Sequence, residues 1–256
     1  TTEAAPVAPL LAGDSDRAFS SWKNTYYQVT DDPELRPELI TLEAWLKPSA
    51  ANTNWDSALM KATTSSWNDG YGIFNLSGTI GFYINNYTNS LRVAMPAGEW
   101  THIAGVYDGA EMHLYINGEL VQSQAYTGPF NHSSSPLLLG KGSGSEGSYY
   151  WDGQIDEVRI WNNARTATEI VDNYAQVIAG DVEGLVSYWR FNEAGGNVAI
   201  DATANALVAN LVNIPAVASK LYKFSATAGD RVFFDRTQFS GNDFSMRIIR
   251  PDGGEM

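Results

Sequence analysis

The 256-residue chain contains no cysteine. This absence excludes a disulfide framework, cysteine-ligated zinc and a thiol nucleophile. The chain also lacks a run of roughly 18 uninterrupted apolar residues, the length that a membrane-spanning helix needs, so we expect no membrane insertion. Basic residues are scarce: 16 Lys and Arg stand against 29 Asp and Glu, and the formal charge is −13. Because phosphate recognition needs a basic surface, we expect no nucleic-acid partner.

Aromatic residues and glycine are abundant. The chain has 13 Tyr, 10 Phe and 8 Trp, while 23 Gly and 10 Pro separate short apolar runs. This composition is typical of β-structure, and apolar and polar residues alternate in runs such as 41–46 and 112–116. Helical patterns do not alternate with these strands, which argues against an α/β fold. The sequence therefore predicts an all-β, antiparallel sandwich.

Two Gly-containing pairs predict the connections between neighbouring strands. Asn117-Gly118 stands between two alternating runs and supplies the two residues of positive φ that a type I′ hairpin turn requires. Asp108-Gly109 predicts a second hairpin of the same kind. Residues 100–125 should therefore form three consecutive antiparallel strands.

One short helix is predicted after these strands. Thr166-Ala167-Thr168-Glu169 has the spacing of a capping box, in which Thr166 and Glu169 cover the free amides of the first turn. Ile170, Tyr174 and Val177 follow at helical spacing.

Four longer segments, in this order, carry a family resemblance. They read ITLEAWLKP at 40–48, GEWTHIAGVYDG at 98–109, GQIDEVRIWN at 153–162 and GLVSYWRFNEAGG at 184–196. Together they resemble the laminin-G-like, concanavalin-A-like lectin/glucanase superfamily. The resemblance implies a jelly-roll sandwich of two curved antiparallel sheets. It also implies an extracellular module of a bacterial secreted or cell-surface protein.

The domain organisation follows from these segments. We expect a Pro- and Ala-rich linker at 1–13 and the laminin-G-like jelly roll at 14–213. From residue 220 the composition changes, and residues 220–256 resemble the opening strands of a second β-sandwich. They are too few to bury a core alone, so they either begin a truncated domain, which we favour, or form a C-terminal extension packed on the first domain.

The resemblance also implies a structural calcium ion. In this superfamily the residue equivalent to Asp156 commonly binds Ca²⁺ together with backbone carbonyls of the N-terminal segment. We therefore expect Asp156 and the nearby Asp152 to be metal ligands, because Ca²⁺ favours six to eight oxygen ligands. The alternative role for Asp156 is to cap backbone amides at a strand end. Pentraxin-like relatives hold calcium in a different loop, for which 67–71 and 145–147 are the candidates here.

Catalytic motifs are missing from the sequence. Retaining glucanases of the superfamily carry Glu-x-Asp-x-x-Glu or Glu-x-Asp-x-Glu on one strand, and neither spacing occurs here. There is no Gly-x-Ser-x-Gly elbow and no Walker-type phosphate loop. His102 and His113 could meet across adjacent strands, but no carboxylate motif accompanies them. We therefore expect no catalytic residues and no enzyme activity.

Aromatic residues in loops are the candidate ligand-binding groups. A flat ring offers a stacking surface to the CH-rich face of a sugar, and nearby amides and carboxylates bind hydroxyls. Trp45, Trp100, Trp161 and Trp189 lie in alternating strands and are assigned to the core. Trp55 and Tyr87 are further loop aromatics. The predicted ligand-binding residues are Trp67, Asn68, Asp69, Tyr71, Tyr149 and Tyr150.

Three functions remain open at this point. The favoured one is a non-catalytic extracellular recognition or adhesion module that binds carbohydrate or a cell-surface protein, next to other domains of a larger chain. The second is a spacer or interaction domain without a small-molecule ligand. The third is a glycoside hydrolase or polysaccharide lyase whose catalytic residues follow no known spacing.

Overall fold

The computed structural model describes residues 18–21, 25–49, 55–64, 66–143, 149–193 and 196–212. The chain divides into two units, Thr1–Ala216 and Val217–Met256, and every described residue lies in the first. The linker expected at 1–13 and the second β region expected at 220–256 lie outside the described residues and stay predictions. Within the described residues, no helix is long and apolar enough to span a membrane.

The described residues form two antiparallel β-sheets and one short α-helix, α1 (Ala167–Asn173). Short 3-10 helices occur at Pro33–Leu35 and Tyr87–Asn89. The strands are β1 (Phe19–Ser21), β2 (Tyr26–Val29), β3 (Ile40–Pro48), β4 (Asp56–Lys61), β5 (Tyr71–Leu76), β6 (Thr79–Ile84), β7 (Leu91–Ala94), β8 (Thr101–Tyr107), β9 (Glu111–Ile116), β10 (Glu119–Ala125), β11 (Leu137–Leu139), β12 (Gly153–Trp161), β13 (Leu185–Trp189), β14 (Val198–Ala199) and β15 (Ala209–Val212).

The two sheets pack face to face as a sandwich, which confirms the predicted fold class. Sheet A has the order β1-β12-β3-β8-β9-β10, with β13 also paired to β12, and sheet B has the order β14-β15-β2-β11-β4-β5-β6-β7. Most strands contribute alternate side chains to the core between the sheets, as Leu42, Ala44 and Leu46 do from β3, whereas β10 is exposed along its whole length. The core is aliphatic and aromatic, so burial of apolar surface is its main source of stability.

The local motifs are largely confirmed. Asn117 and Gly118 both have positive φ, 50° and 85°, at the turn between β9 and β10. The turn between β8 and β9 differs from the prediction, because only Gly109 has positive φ and the loop contains three residues. Asp108 closes this loop by accepting hydrogen bonds from the Ala110 and Glu111 amides.

The helix begins with the predicted capping box. Thr166 Oγ1 accepts from the Glu169 amide at 3.2 Å, and the Glu169 carboxylate accepts from the Thr166 amide at 2.8 Å. The helix ends at Asn173, so Val177 lies outside it. Of the four tryptophans assigned to the core, three are fully buried and Trp100, which precedes β8, is half-buried.

A β-bulge in β12 changes which side chains face the core. Asp156 pairs with Trp45, but the next paired residue is Arg159, opposite Glu43. Glu157 at this point has a φ of 50°, which is rare for a residue other than glycine. As a result Ile155 and Val158 both face the core, while Glu157 and Arg159 face the outer side of sheet A.

The chain after β12 covers this outer side as a third layer. The Trp45 indole donates to the carbonyl of Tyr174, and the Arg159 guanidinium donates to the carbonyls of Asn173 and Gln176. Ile170 of α1 packs in a buried cluster with Tyr115 and neighbouring residues of β8. Sheet A is therefore covered on both faces along this region.

A buried charge cluster lies beneath that layer. Arg159 Nη2 is 2.9 Å from Glu157 Oε2, Arg159 Nη1 is 3.9 Å from Glu43 Oε2, and His102 Nε2 is 3.2 Å from the same Glu43 oxygen. Although burial alone would raise the pKa of Glu43, the hydrogen bond from His102 and the charge of Arg159 bring it below its usual value.

His102 is neutral in this cluster. Burial lowers its pKa and outweighs the hydrogen bond and charge of Glu43, which favour the protonated ring. The geometry agrees, because Nδ1 has no hydrogen-bond partner and a second proton there would be a buried, unsatisfied donor.

Replacement of Arg159 should therefore destabilise the fold strongly. Arg159→Gln leaves the Glu43 carboxylate buried without its closest arginine and removes the closer of the two arginines beside Glu157, since Arg190 Nε remains 3.8 Å from Glu157 Oε1. Such a change costs about 3–5 kcal/mol of unfolding free energy. The measurement is urea unfolding at pH 7. Arg92→Gln, at an exposed position of β7, is the matched control and should cost little; equal losses in both variants would contradict this role for Arg159.

Candidate functional site

The outer face of sheet B carries a second aromatic cluster, separate from the core. Because side chains alternate along a strand, Tyr71 and Ile73 of β5 face the core and Phe74 faces outward, where it meets Tyr83 of β6 and Met60 of β4. Gly72 leaves room for this packing: a Cβ there would lie 3.1 Å from Met60 and 3.0 Å from Tyr83.

Trp67 covers this cluster from the loop before β5. Its φ of 45° is unusual for a large side chain, so the loop holds it in a strained conformation. The indole Nε1 donates to the carbonyl of Ser143 at 3.0 Å, and the ring stacks near-parallel on Tyr83, with centroids 6.2 Å apart. The side chain is only 1% exposed, so Trp67 forms the floor of a site rather than a free surface ring.

A cleft of about 480 Å³ opens above Trp67. Two of its rings meet at a right angle, since the Trp55 and Tyr87 centroids are 5.0 Å apart with an interplanar angle of 90°. Tyr149 adds a third ring, 5.4 Å from Trp67. The volume of the cleft lies within the range of roughly 300–1,000 Å³ that is typical of small-molecule sites. The described lining residues are Trp55, Ser66, Trp67, Asn68, Asn86, Tyr87, Thr88 and Tyr149.

Hydrogen bonds within a turn position the polar groups on one side of the cleft. Asn86 caps the 3-10 helix Tyr87–Asn89, and its Oδ1 accepts from both the amide and the hydroxyl of Thr88 at 2.9 Å. The Tyr87 amide donates to the carbonyl of Trp67, which ties the two loops together. Aromatic faces thus lie beside amide and hydroxyl groups, an arrangement that can stack on a sugar and bind its hydroxyls.

The structure brings together some of the predicted ligand-binding residues and separates others. Trp67, Asn68 and Tyr149 line the cleft. Asp69 is outside it, where its carboxylate accepts from the Thr63 amide at 2.8 Å and closes the loop.

Tyr71 and Tyr150 also lie elsewhere. Tyr71 is buried in the sandwich core, and its hydroxyl donates to the carbonyl of Leu35 at 3.2 Å. Tyr150 packs against Tyr26, with ring centroids 6.0 Å apart, beside the Lys141 ammonium.

The prediction omitted Ser66, Asn86 and Thr88 and did not select Trp55 and Tyr87 from the loop aromatics. The turn-forming sequence Asn86-Tyr87-Thr88 was a usable signal for part of this set.

The two expected calcium ligands are not neighbours. Asp156 and Asp152 lie four residues apart along one extended segment, about 13 Å at the rise of a strand, so one ion cannot bind both carboxylates. Asp156 Oδ1 accepts from the Glu157 amide at 2.9 Å, which is the amide-capping role. Strand β1 pairs with β12 from Gly153 to Ile155, so Phe19 lies opposite the residue that precedes Asp156.

This arrangement limits the ligands that a metal ion at Asp156 could have. Among the described residues, no group of three or more His, Asp or Glu side chains is placed to hold a metal. An ion there would rely on main-chain carbonyls, water and one carboxylate, a donor set that Ca²⁺ accepts. Of the loops considered for a pentraxin-like site, 145–147 lies outside the described residues.

Asp152 instead lies near Asp56, the first residue of β4. Burial, and then the charge of Asp152, raises the pKa of Asp56 to about 6, against an ordinary 3.8. The folded state therefore disfavours the ionised form of Asp56. The protonated Asp56 carboxyl therefore contributes to the free energy of unfolding below pH 3.8, and this contribution is lost as the pH rises through about 6.

Asp56→Asn should accordingly stabilise the protein at neutral pH. We expect a gain of about 1 kcal/mol at pH 7, well below the value for a fully buried carboxyl because much of the side chain is in water. The gain should disappear near pH 3.5, where the native side chain is already neutral. Thermal melting of both proteins at the two pH values measures this, and a gain independent of pH would contradict it.

The histidines do not form a site with the cleft. His113 pairs with Val106, four residues along β8 from His102, so the two rings do not meet. His113 Nδ1 is 2.8 Å from Ser123 Oγ on the open face of β9 and β10. None of the described lining residues of the cleft is a histidine or a carboxylate.

Comparison with known proteins agrees with this architecture. The model of the concanavalin A-like lectin/glucanases superfamily matches residues 21–171. A Bacteroides ovatus protein described as carbohydrate-binding superposes with a TM-score of 0.61 at 19% identity, over 77% of this chain and 58% of its own. The CBM40 module of the Ruminococcus gnavus IT-sialidase gives 0.50 at 16% identity, over 63% and 98%.

Curated relatives are much longer than the matched region. Mouse pappalysin-1 is 25% identical over 177 residues, which are 60% of this chain and 11% of that protein. Human pappalysin-1 is 33% identical over 90 residues, which are 33% of this chain and 5% of that protein. The similarity therefore concerns one region of a large protein.

Proposed function

The chain belongs to the concanavalin A-like lectin/glucanase superfamily, and on this basis we propose that it is a non-catalytic, extracellular carbohydrate-binding module of a larger protein. The observation that carries the proposal is the aromatic cleft on the outer face of sheet B. Three rings, those of Trp55, Tyr87 and Tyr149, border it above the buried indole of Trp67. The carbohydrate-binding roles of structural neighbours support the same reading.

The surroundings of the cleft favour binding over bond cleavage. Glycoside hydrolysis commonly requires two carboxyl groups flanking the scissile bond. The described lining residues supply only rings, amides and hydroxyls. These groups can orient a sugar through stacking and hydrogen bonds, but none is a carboxyl group of the kind that protonates the leaving group in most glycosidases.

Rigidity of the cleft floor also supports recognition. Trp67 and Tyr149 both have positive φ, 45° and 63°, and a Cβ on Gly142 would lie 2.9 Å from each of them. Rings that are already fixed in place lose little conformational entropy when a ligand binds. Such preorganisation suits a module whose task is to retain a glycan near other domains.

Removal of either of two rings that border the cleft should weaken glycan binding. Trp55→Ala and Tyr87→Ala each remove a partly exposed ring, and we expect at least a tenfold loss of affinity, since central aromatic contacts contribute about 2 kcal/mol or more. Binding is measured on a glycan array and then by calorimetry. Replacement of the buried Trp67 is avoided, because it would cost about 3–5 kcal/mol of stability.

Tyr150→Ala is the matched control, because it removes a half-buried tyrosine next to the cleft that does not line it. Unchanged affinity in both cleft variants would contradict the assigned site. Failure of the native protein to retain any glycan would favour the spacer function, and release of reducing sugars from a polysaccharide would favour an enzyme.

A structural Ca²⁺ at Asp156 is the second part of the proposal. The support is the pairing of β1 with Gly153–Ile155 of β12, directly before Asp156, which would place main-chain carbonyls of the first strand near that carboxylate. Such an ion would fix the first strand to sheet A. It would not contact the cleft, which lies on the outer face of sheet B.

Calcium should therefore raise the melting temperature of the native protein without changing glycan affinity. At a concentration a hundred times its Kd the ion would add about 2.7 kcal/mol, a shift of several degrees. Asp156→Asn should lose this shift. Asp172→Asn, at an exposed position of α1, should retain it, and a melting temperature insensitive to calcium and to a chelator would rule out the ion.

A further inference from the structure

The cleft has a chemical character that narrows its ligand class. None of the described residues that line it is an acid or a base, and its polar groups are the amides of Asn68 and Asn86 and the hydroxyls of Ser66, Thr88 and the tyrosines. We propose that the cleft selects uncharged glycans and excludes glycans that carry carboxylates or sulfates. The inference rests on the proposed carbohydrate-binding function and concerns the ligand of that same site.

An acidic sugar would find no counter-charge among these residues. The Lys61 ammonium nearby is 1% exposed and bonds to Asp31 Oδ1 at 2.5 Å and to the Ser135 carbonyl at 2.7 Å. The Lys141 ammonium bonds to the Gly142 carbonyl and lies over the rings of Tyr26 and Tyr150. Neither lines the cleft, so an anion entering it would lose hydration without forming an ion pair.

The electrostatic field of the protein also disfavours the binding of acidic glycans. The formal charge is −13, and Asp69 lies two residues from Trp67 on the loop that forms the floor. Fixed negative charge close to a cleft lowers the local concentration of anions. An uncharged glycan does not experience this repulsion, and its binding depends on stacking and hydrogen bonds alone.

Ring geometry adds a second constraint on the ligand. Because the Trp55 and Tyr87 rings are perpendicular, they form a corner and present no common plane. A flat crystalline surface cannot contact both faces at once. A single soluble glycan chain can place one sugar face against each ring.

A panel of polysaccharides of known charge tests the inference. Neutral probes are β-glucan, xyloglucan, galactomannan and arabinan; acidic probes are pectate, alginate and hyaluronan, and carboxymethylated forms of the neutral probes serve as matched pairs. We expect retention of one or more neutral probes and at least a tenfold loss on carboxymethylation. We also expect less than a twofold change in neutral-probe affinity between 0.05 and 0.5 M NaCl.

The outcomes separate the inference from the function on which it rests. Retention of acidic probes equal to or above that of neutral ones, with an affinity that falls as salt rises, overturns the inference and leaves carbohydrate binding intact. Retention of no probe at all overturns the proposed function and the inference together.

A charge variant locates the selectivity in the cleft. Asn68→Lys places a cation in the lining and should raise retention of a carboxymethylated probe at least fivefold. Asn210→Lys makes the same change of net charge at an exposed position of β15, the control, and should leave retention unchanged. Equal gains in both variants would show that overall charge, not the cleft, excludes acidic glycans.

Discussion

The buried pairing of Arg159 with Glu43 and Glu157 is the constraint on which the rest of the molecule depends. Three charged groups lie on the outer side of sheet A, and each is nearly inaccessible to water. Such groups are tolerated when opposite charges pair and most of their hydrogen bonds are made. Arg159 pairs with both carboxylates, and Arg190 is a second cation 3.8 Å from Glu157. The carbonyls of Asn173 and Gln176 accept from the two terminal nitrogens of the guanidinium, so the helix and the chain after it must cover this face.

That cover leaves the outer face of sheet B as the location of the proposed ligand site. One face of sheet A forms the core, and the third layer covers much of the other. Among the described residues, sheet B has no comparable layer, and its outer face instead carries loops that end in aromatic residues. The sandwich thus acts as a rigid support, and the strained backbone at Trp67 and Tyr149 holds the rings against it. The buried charge cluster thus lies on the outer face of sheet A, and the proposed ligand site lies on the outer face of sheet B.

Much of the fold could be predicted because its signals are local. Alternation marked the strands, Asn117-Gly118 set a hairpin, and the Thr166 capping box set the start of the helix. The β12 bulge could not be predicted, because one extra residue exchanges the inward and outward sides of every position after it. For the same reason the sequence did not reveal that Glu157 and Arg159 share a buried face with Glu43.

For the candidate site too, some features could be predicted from the sequence and others could not. The sequence by itself determined an acidic, cysteine-free, aromatic-rich β-sandwich and the set of loop residues from which a sugar site could be made. Only the tertiary structure decided that Tyr71 belongs to the core, that Asp152 lies near Asp56 rather than with Asp156, and that Trp55 and Tyr87 meet above Trp67. The reason is physical: alternation assigns a residue to one side of a strand, but whether that side faces the core, a third layer or open solvent depends on which strands pack together.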